Sequence, residues 1–178
     1  MAKEEMIVHP IPPLYDSRSK ILILGSFPSP KSREAAFFYG HPQNRFWRVM
    51  AEVLDWKRDA ETGLATVPQT VPEKRDMLLS SGIALWDTIA SCRITGASDA
   101  SIKDVTPNDL SGILDAAEIR KICCNGAKSH ALYMKYIYPV TGRKAERLPS
   151  TSPANAAASL ERLIEEWRRV LFGSVSLS

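Results

Sequence analysis

Apolar and polar positions alternate between two rhythms along this chain. Short continuous apolar runs at Ile21–Leu24 and Ile83–Trp86 read as buried strands, and Lys121–Cys124 reads as a third strand. A fourth, short strand ends at Arg147-Leu148-Pro149. Between the runs the apolar spacing becomes helical. Phe46, Trp47, Met50, Val53 and Leu54 fall at i, i+1, i+4, i+7 and i+8, one face of a helix within Pro42–Leu54. Thr70-Val71-Pro72-Glu73 is a capping box with proline inside the start, predicting a helix to Ser81 that Gly82 stops. Thr106-Pro107 opens a short helix to about Ala116, and Ala127–Ile137 places Leu132, Tyr133, Tyr136 and Ile137 on an apolar face. Leu160, Leu163, Ile164, Trp167, Val170 and Leu171 keep the 3.6 period in a last helix ended by Gly173. Residues 57–69 and 91–106 read as polar loops, the second carrying Arg93, Ser98, Asp99 and Ser101.

Strand and helix therefore take turns, which predicts an α/β domain: three layers, α/β/α, around a central, mainly parallel four-stranded sheet. The domain is expected over 18–173. Residues 1–17, with Pro10, Pro12 and Pro13, are expected as an irregular lead-in packed by Ile7, Val8, Ile11 and Leu14, and 174–178 as a frayed tail.

Composition changes this picture little. A chain of 178 residues, 44% hydrophobic and 24% charged, is one ordinary globular domain. The net charge of +3 permits a nucleic-acid partner without demanding one. No apolar run approaches a membrane span, and Met1–Pro10 lacks the apolar core of a signal peptide, so a cytoplasmic monomer is expected. Cys92, Cys123 and Cys124 are an odd set. Adjacent Cys123 and Cys124 would alternate faces of a strand, suiting neither a mutual disulfide nor one metal, and all three are expected as buried apolar thiols.

Candidate chemistry concentrates between Ile21 and Trp47. Gly25-Ser26-Phe27-Pro28-Ser29-Pro30 breaks the first strand, with a glycine that allows a sharp turn or close approach to a ligand. Three aromatics, Phe37, Phe38 and Tyr39, precede Gly40-His41-Pro42-Gln43-Asn44-Arg45-Phe46-Trp47. Ligands of open α/β sheets bind at the carboxyl ends of strands, which is where these residues fall.

The Gly-x-x-Pro loop followed by aromatic-x-His-Pro-x-Asn-Arg-Phe-Trp resembles the uracil-DNA glycosylase superfamily. With Leu85-Trp86-Asp87, the Gly25–Ser29 version looks most like its hypoxanthine-DNA glycosylase family. The resemblance spans roughly 18–172. It implies DNA containing a deaminated base as partner, hydrolysis of the N-glycosidic bond of a flipped hypoxanthine, and no cofactor or metal. Branches with an iron–sulfur cluster use four cysteines; this chain has three.

Residue by residue, the resemblance assigns catalysis to Asn44, whose amide can hold a water by its oxygen and a sugar or phosphate by its nitrogen. Asn44 equally suits a helix cap, with His41 in the same cap. Gly25, Ser26 and Phe27 form the loop under the sugar, where other branches place Asp or Asn at the position of Phe27 and Glu at that of Ser26. Phe27 therefore departs from a carboxylate mechanism and serves as a wall. Tyr39 matches the aromatic that stacks on the base, and core burial is its other reading. Asp87 matches the residue that reads the base edge and could accept from hypoxanthine N1–H; otherwise it pairs with Arg93 or Arg45. Ser150–Asn155 matches the second motif, with Ser150 where relatives carry histidine or asparagine. Ser152 is expected to cap the last helix and, with Ser150 and Asn155, to meet a DNA phosphate. Asn125 and Lys128 are further phosphate candidates. A mismatch-type uracil glycosylase and a catalytically quiet DNA- or nucleotide-binding protein on the same fold are the alternatives. No lysine is placed as a Schiff-base nucleophile, so no lyase activity is expected.

Overall fold

The alternation along the first strand decides the layering. The computed structural model describes residues 2–96 and 98–173, and the expected frayed tail lies outside them. Strand β2 (Ile21–Gly25) sits at the centre of a parallel sheet of order β3-β2-β6-β7, with β3 at Ile83–Asp87, β6 at Lys121–Asn125 and β7 at Glu146–Leu148. Ile23, Leu85 and Cys123 point into one core; Leu22, Leu24, Ala84, Ile122 and Cys124 point into the other. The adjacent cysteines thus do face opposite sides, and burial pushes both thiols up to about 12.

Helices α2 (Phe46–Val53), α3 (Val71–Ser80) and α7 (Leu160–Phe172) cover the first face through Phe46, Met50, Met77, Leu163 and Trp167. The second face is covered by α4 (Ser111–Ala116) and α5 (Ala127–Leu132), which runs through a π-helical turn, Tyr133–Ile137, into α6 (Tyr138–Thr141). The three-layer arrangement is the expected one, and the capping box works as predicted: Thr70 Oγ1 accepts from Glu73 N at 3.2 Å. A short helix, α1 (Pro30–Ala35), occupies the polar connection before the aromatics, with Ser29 as its cap.

Three expectations are corrected. The lead-in is not irregular: Glu4–Val8 forms β1, antiparallel to β4 (Ile89–Thr95). The loop expected over 91–106 is largely β4 and β5 (Lys103–Pro107), which complete a second, antiparallel sheet of order β1-β4-β5, so Thr106 and Pro107 end a strand and the helix expected from them begins at Ser111. Strands β1 and β5 are mostly exposed, so they lack the apolar run that marks a central strand. Finally, Ser152 does not cap the last helix. Ser159 does, accepting from Arg162 N at 3.1 Å, and seven residues later than expected the helical period begins in fact.

Candidate active site at the carboxyl edge of the sheet

Strand register brings the site together. Gly25 stands opposite Asp87 across β2 and β3, and Asn125 stands opposite Leu148 across β6 and β7, so the chain leaves every parallel strand at one edge. A cavity of about 400 Å³ opens there. Gly25, Ser26, Phe27, Tyr39, His41, Asn44, Asp87, Asn125, Lys128, Ser150, Thr151 and Ser152 all line it. Among the predicted residues only Asn155 is elsewhere, in an adjoining groove with Arg147 and Arg162.

Asn44 is held by two donors. Phe46 N donates to its Oδ1 at 3.0 Å, and Thr151 Oγ1 donates to the same oxygen at 2.8 Å. A backbone N–H needs an acceptor, which fixes the amide orientation, and both lone pairs of Oδ1 are then in use. Among the described residues, the group Asn44 keeps free is its NH₂. Its oxygen is therefore not available to hold a water; the side chain offers donors, suited to a phosphate, sugar or leaving-base acceptor. The cap reading also holds locally, since the Phe46 bond satisfies a first-turn N–H of α2. His41 is not part of that cap: its Nδ1 accepts from Gln43 N in the turn before α2.

Thr151 was not singled out in the sequence. It is fully buried, and Asn125 clamps it from both sides: Asn125 Nδ2 donates to Thr151 Oγ1 at 2.9 Å and Thr151 N donates to Asn125 Oδ1 at 3.1 Å. The chain Asn125–Thr151–Asn44 thus ties the ends of β6, the second motif and the first motif together. Asn125 is a brace with its side chain engaged. Arg45 fastens the same motif from outside, its guanidinium donating to the carbonyls of Ser152, Asn155 and Ala158. Neither Arg45 nor Arg93 meets Asp87; Arg93 pairs with Asp104 at 3.2 Å.

Asp87 instead receives His9. His9 Nε2 lies 2.7 Å from Asp87 Oδ2, and the two side chains are 3% and 6% exposed. The other carboxylate oxygen lies along the floor at Gly25, where a Cβ would come within 2.4 Å of Asp87 Oδ1 and 2.9 Å of the Tyr39 hydroxyl. Only hydrogen at Gly25 leaves room for this pair. The Tyr39 ring stacks on Phe46, centroids 4.1 Å apart, from a left-handed backbone at φ 51°. Its hydroxyl is buried without a hydrogen-bond partner among the described residues. Burial, and then the Asp87 charge, push its ionisation far above the ordinary phenol range, so it remains a donor. The structure shows the core packing of Tyr39, its ring on Phe46 and its hydroxyl buried, in a residue that also lines the cavity.

Phe27 is a wall, packed with Ile89, Cys92 and Ile94 and met edge-on by His9. Ser26 contributes its carbonyl to Ile89 N. Ser150 Oγ accepts from Ser152 N and the Ser150 side chain rests on Gly126, whose φ of 96° opens α5. Ser152 Oγ accepts from Ala154 N, and Asn155 Nδ2 donates to Ser150 O, so both shape the loop. On the opposite rim Lys128 Nζ donates to Asp99 O at 3.3 Å; burial raises the Asp99 carboxyl and Lys128 opposes that shift.

A parallel sheet whose carboxyl edge carries this pair of motif loops is the architecture of a base-excising enzyme, and the sequence agrees: the model of the uracil DNA glycosylase superfamily matches residues 12–171, and the chain belongs to that superfamily. It is similar to a curated protein of Methanosarcina acetivorans named hypoxanthine DNA glycosylase, 32% identical over 166 residues, 93% of this chain and 98% of the relative. A protein of the same name from Methanosarcina barkeri is 31% identical over 145 residues, 81% of this chain and 85% of the relative. A solution NMR structure from Methanosarcina acetivorans, described as a candidate uracil DNA glycosylase, superposes with a TM-score of 0.74 at 31% identity, covering 92% of this chain and 96% of its own.

Proposed function

We propose that this protein is a monofunctional DNA N-glycosylase that removes deaminated bases, hypoxanthine foremost. The observation that carries the reading is the floor of the cavity. There Asp87 Oδ1 lies against Gly25 as an acceptor, with the buried Tyr39 hydroxyl beside it. Hypoxanthine presents a donor, N1–H, to that acceptor, whereas adenine presents an acceptor at N1. The names of the two Methanosarcina relatives agree with that choice.

The base must leave the stack to reach this floor, so the substrate is bound flipped. Cleavage of the C1′–N9 bond sends the electron pair to the base and leaves positive charge on the sugar. Water then bonds to C1′ and loses a proton, giving free base and an abasic site. Charge on the departing base is met by hydrogen-bond donors, and the NH₂ of Asn44 is the free donor on the first motif. Ser150, Ser152 and Lys128 on the rim serve the DNA phosphates, with Arg147 and Arg162 in the adjoining groove. The protein acts as a monomer on DNA in a prokaryotic cytoplasm and needs no metal.

Uracil offers the same donor–acceptor edge through N3–H and O4, which keeps a mismatch-type uracil glycosylase as the second reading. Labelled duplexes with one hypoxanthine or one uracil opposite each normal base, treated with enzyme and then alkali, separate the two. Cutting at hypoxanthine with little at uracil is expected. Cutting mainly at uracil would transfer the protein to the mismatch-type branch, and binding without release of base would leave only a quiet DNA binder.

A further inference from the structure

We propose that His9 is a positioning residue that sets base specificity by holding Asp87 as a one-sided acceptor. The inference rests on the reading of Asp87 as the group that meets the base. His9 lies before residue 12, where the superfamily match begins, and in a segment whose sequence shows no element for a site.

The N-terminal segment is sewn along β3 and β4. His9 N donates to Ala90 O at 2.7 Å, Trp86 Nε1 donates to Ile11 O at 3.1 Å, and Leu14 and Leu85 exchange backbone bonds of 2.9 Å. This path puts the imidazole behind Asp87, with its edges against Phe27 and Trp86 at centroid distances of 5.8 and 6.2 Å. The ring has no room to turn away, because its side chain is 3% exposed.

The tautomer follows from the hydrogen bonds. Ile11 N donates to His9 Nδ1 at 3.2 Å, so that nitrogen carries a lone pair. The single proton of a neutral imidazole is then on Nε2, aimed at Asp87 Oδ2. Oδ2 accepts from His9, and Oδ1, the oxygen next to Gly25 on the cavity floor, is the one left for the base. A carboxyl group free to rotate, or to carry its proton on either oxygen, would present a donor as readily as an acceptor and would lose its preference for a base with N–H at that position. His9 removes that freedom as an orienting histidine partner does at other sites, by fixing geometry rather than by touching substrate.

The test is a double-mutant cycle in single-turnover excision of hypoxanthine, with thermal unfolding of each variant. A displaced reading group costs about tenfold to a hundredfold in rate. His9→Phe keeps a flat ring without the donor and is expected to lose that factor; His9→Gln, whose amide restores a donor toward Asp87, is expected to recover most of it. In the Asp87→Ala background His9→Phe is expected to change nothing further, because its effect runs through Asp87. An equal loss in both backgrounds would overturn the proposal. So would a wild-type rate for His9→Phe while Asp87→Ala is slow, a result that leaves the role of Asp87 intact. A wild-type rate for Asp87→Ala alone would sink the reading of Asp87 and the role of His9 with it. Where His9→Phe fails to fold, His9→Gln against His9→Met carries the test: a slow Met variant beside an active Gln variant supports the proposal, and equal rates overturn it.

Discussion

Replacing Gly25 by alanine adds one methyl group where the cavity floor is tightest. The new Cβ would lie 2.4 Å from Asp87 Oδ1 and 2.9 Å from the Tyr39 hydroxyl, whereas real Cβ atoms essentially never come closer than 3.0 Å. Gly25 is not among the residues with positive φ, so alanine meets no backbone penalty and the effect is purely steric. Tyr39 is stacked on Phe46 and Asp87 is held by His9, so neither can retreat without breaking a contact. Overpacking of this kind costs about 1–3 kcal/mol. In a domain of this size that corresponds to a fall in Tm of roughly 2–12 °C. The rate should suffer more: displacing the reading carboxylate by a good fraction of an ångström predicts a loss of about tenfold to a hundredfold, or about 1.4–2.7 kcal/mol of barrier. Single-turnover excision from a hypoxanthine duplex at saturating enzyme, beside thermal unfolding and binding to abasic DNA, separates the two effects. A Gly25→Ala protein that melts earlier but excises at the wild-type rate would refute the view that this floor reads the base.

Other outcomes follow from the same geometry. Asn44→Ala is expected to lose most excision while folding is kept; near-normal turnover would remove Asn44 from the catalytic role. Thr151→Val keeps the shape but strips one bond each from Asn125 and Asn44, for an expected loss of about 1–3 kcal/mol in denaturant unfolding and a slower excision step. Lysine at Arg45 cannot span the three carbonyls the guanidinium now reaches, so Arg45→Lys should shift the urea midpoint downward, by the equivalent of about 1–3 kcal/mol. With Cys123 and Cys124 pushed up to about 12 and Cys92 also raised by burial, the folded protein at pH 8 should react only slowly with an aromatic disulfide, and the unfolded chain should titrate three thiols. Borohydride added during turnover should trap no protein–DNA adduct; a trapped adduct would mean a lysine attacks the sugar.

What the chain states outright is what repeats locally. Continuous apolar runs at Ile21, Ile83 and Ile122 suit burial on both faces, and the 3.6 spacing of Leu160 to Leu171 suits one side of a helix, so the parallel sheet and its cover were legible. The motif block from Gly25 to Trp47 carried the family resemblance and half of the cavity lining. What was not legible depends on residues far apart in sequence. Strands β1 and β5 are mostly exposed and lie on edges, so their pairing with β4 leaves no apolar run. The partner of Asp87 lies 78 residues away in a proline-rich lead-in, and the brace on Asn44 lies 107 residues away in a motif whose neighbouring serines drew the attention. Which lone pairs are already taken is a property of the assembled edge, because a side chain's free hydrogen-bonding groups are those left over after tertiary packing has spent the others. The sequence by itself determined the sheet, the helices and the residue types at the site; only the tertiary structure decided that Asn44 offers its NH₂, that Asp87 offers one oxygen, and that His9 stands behind it.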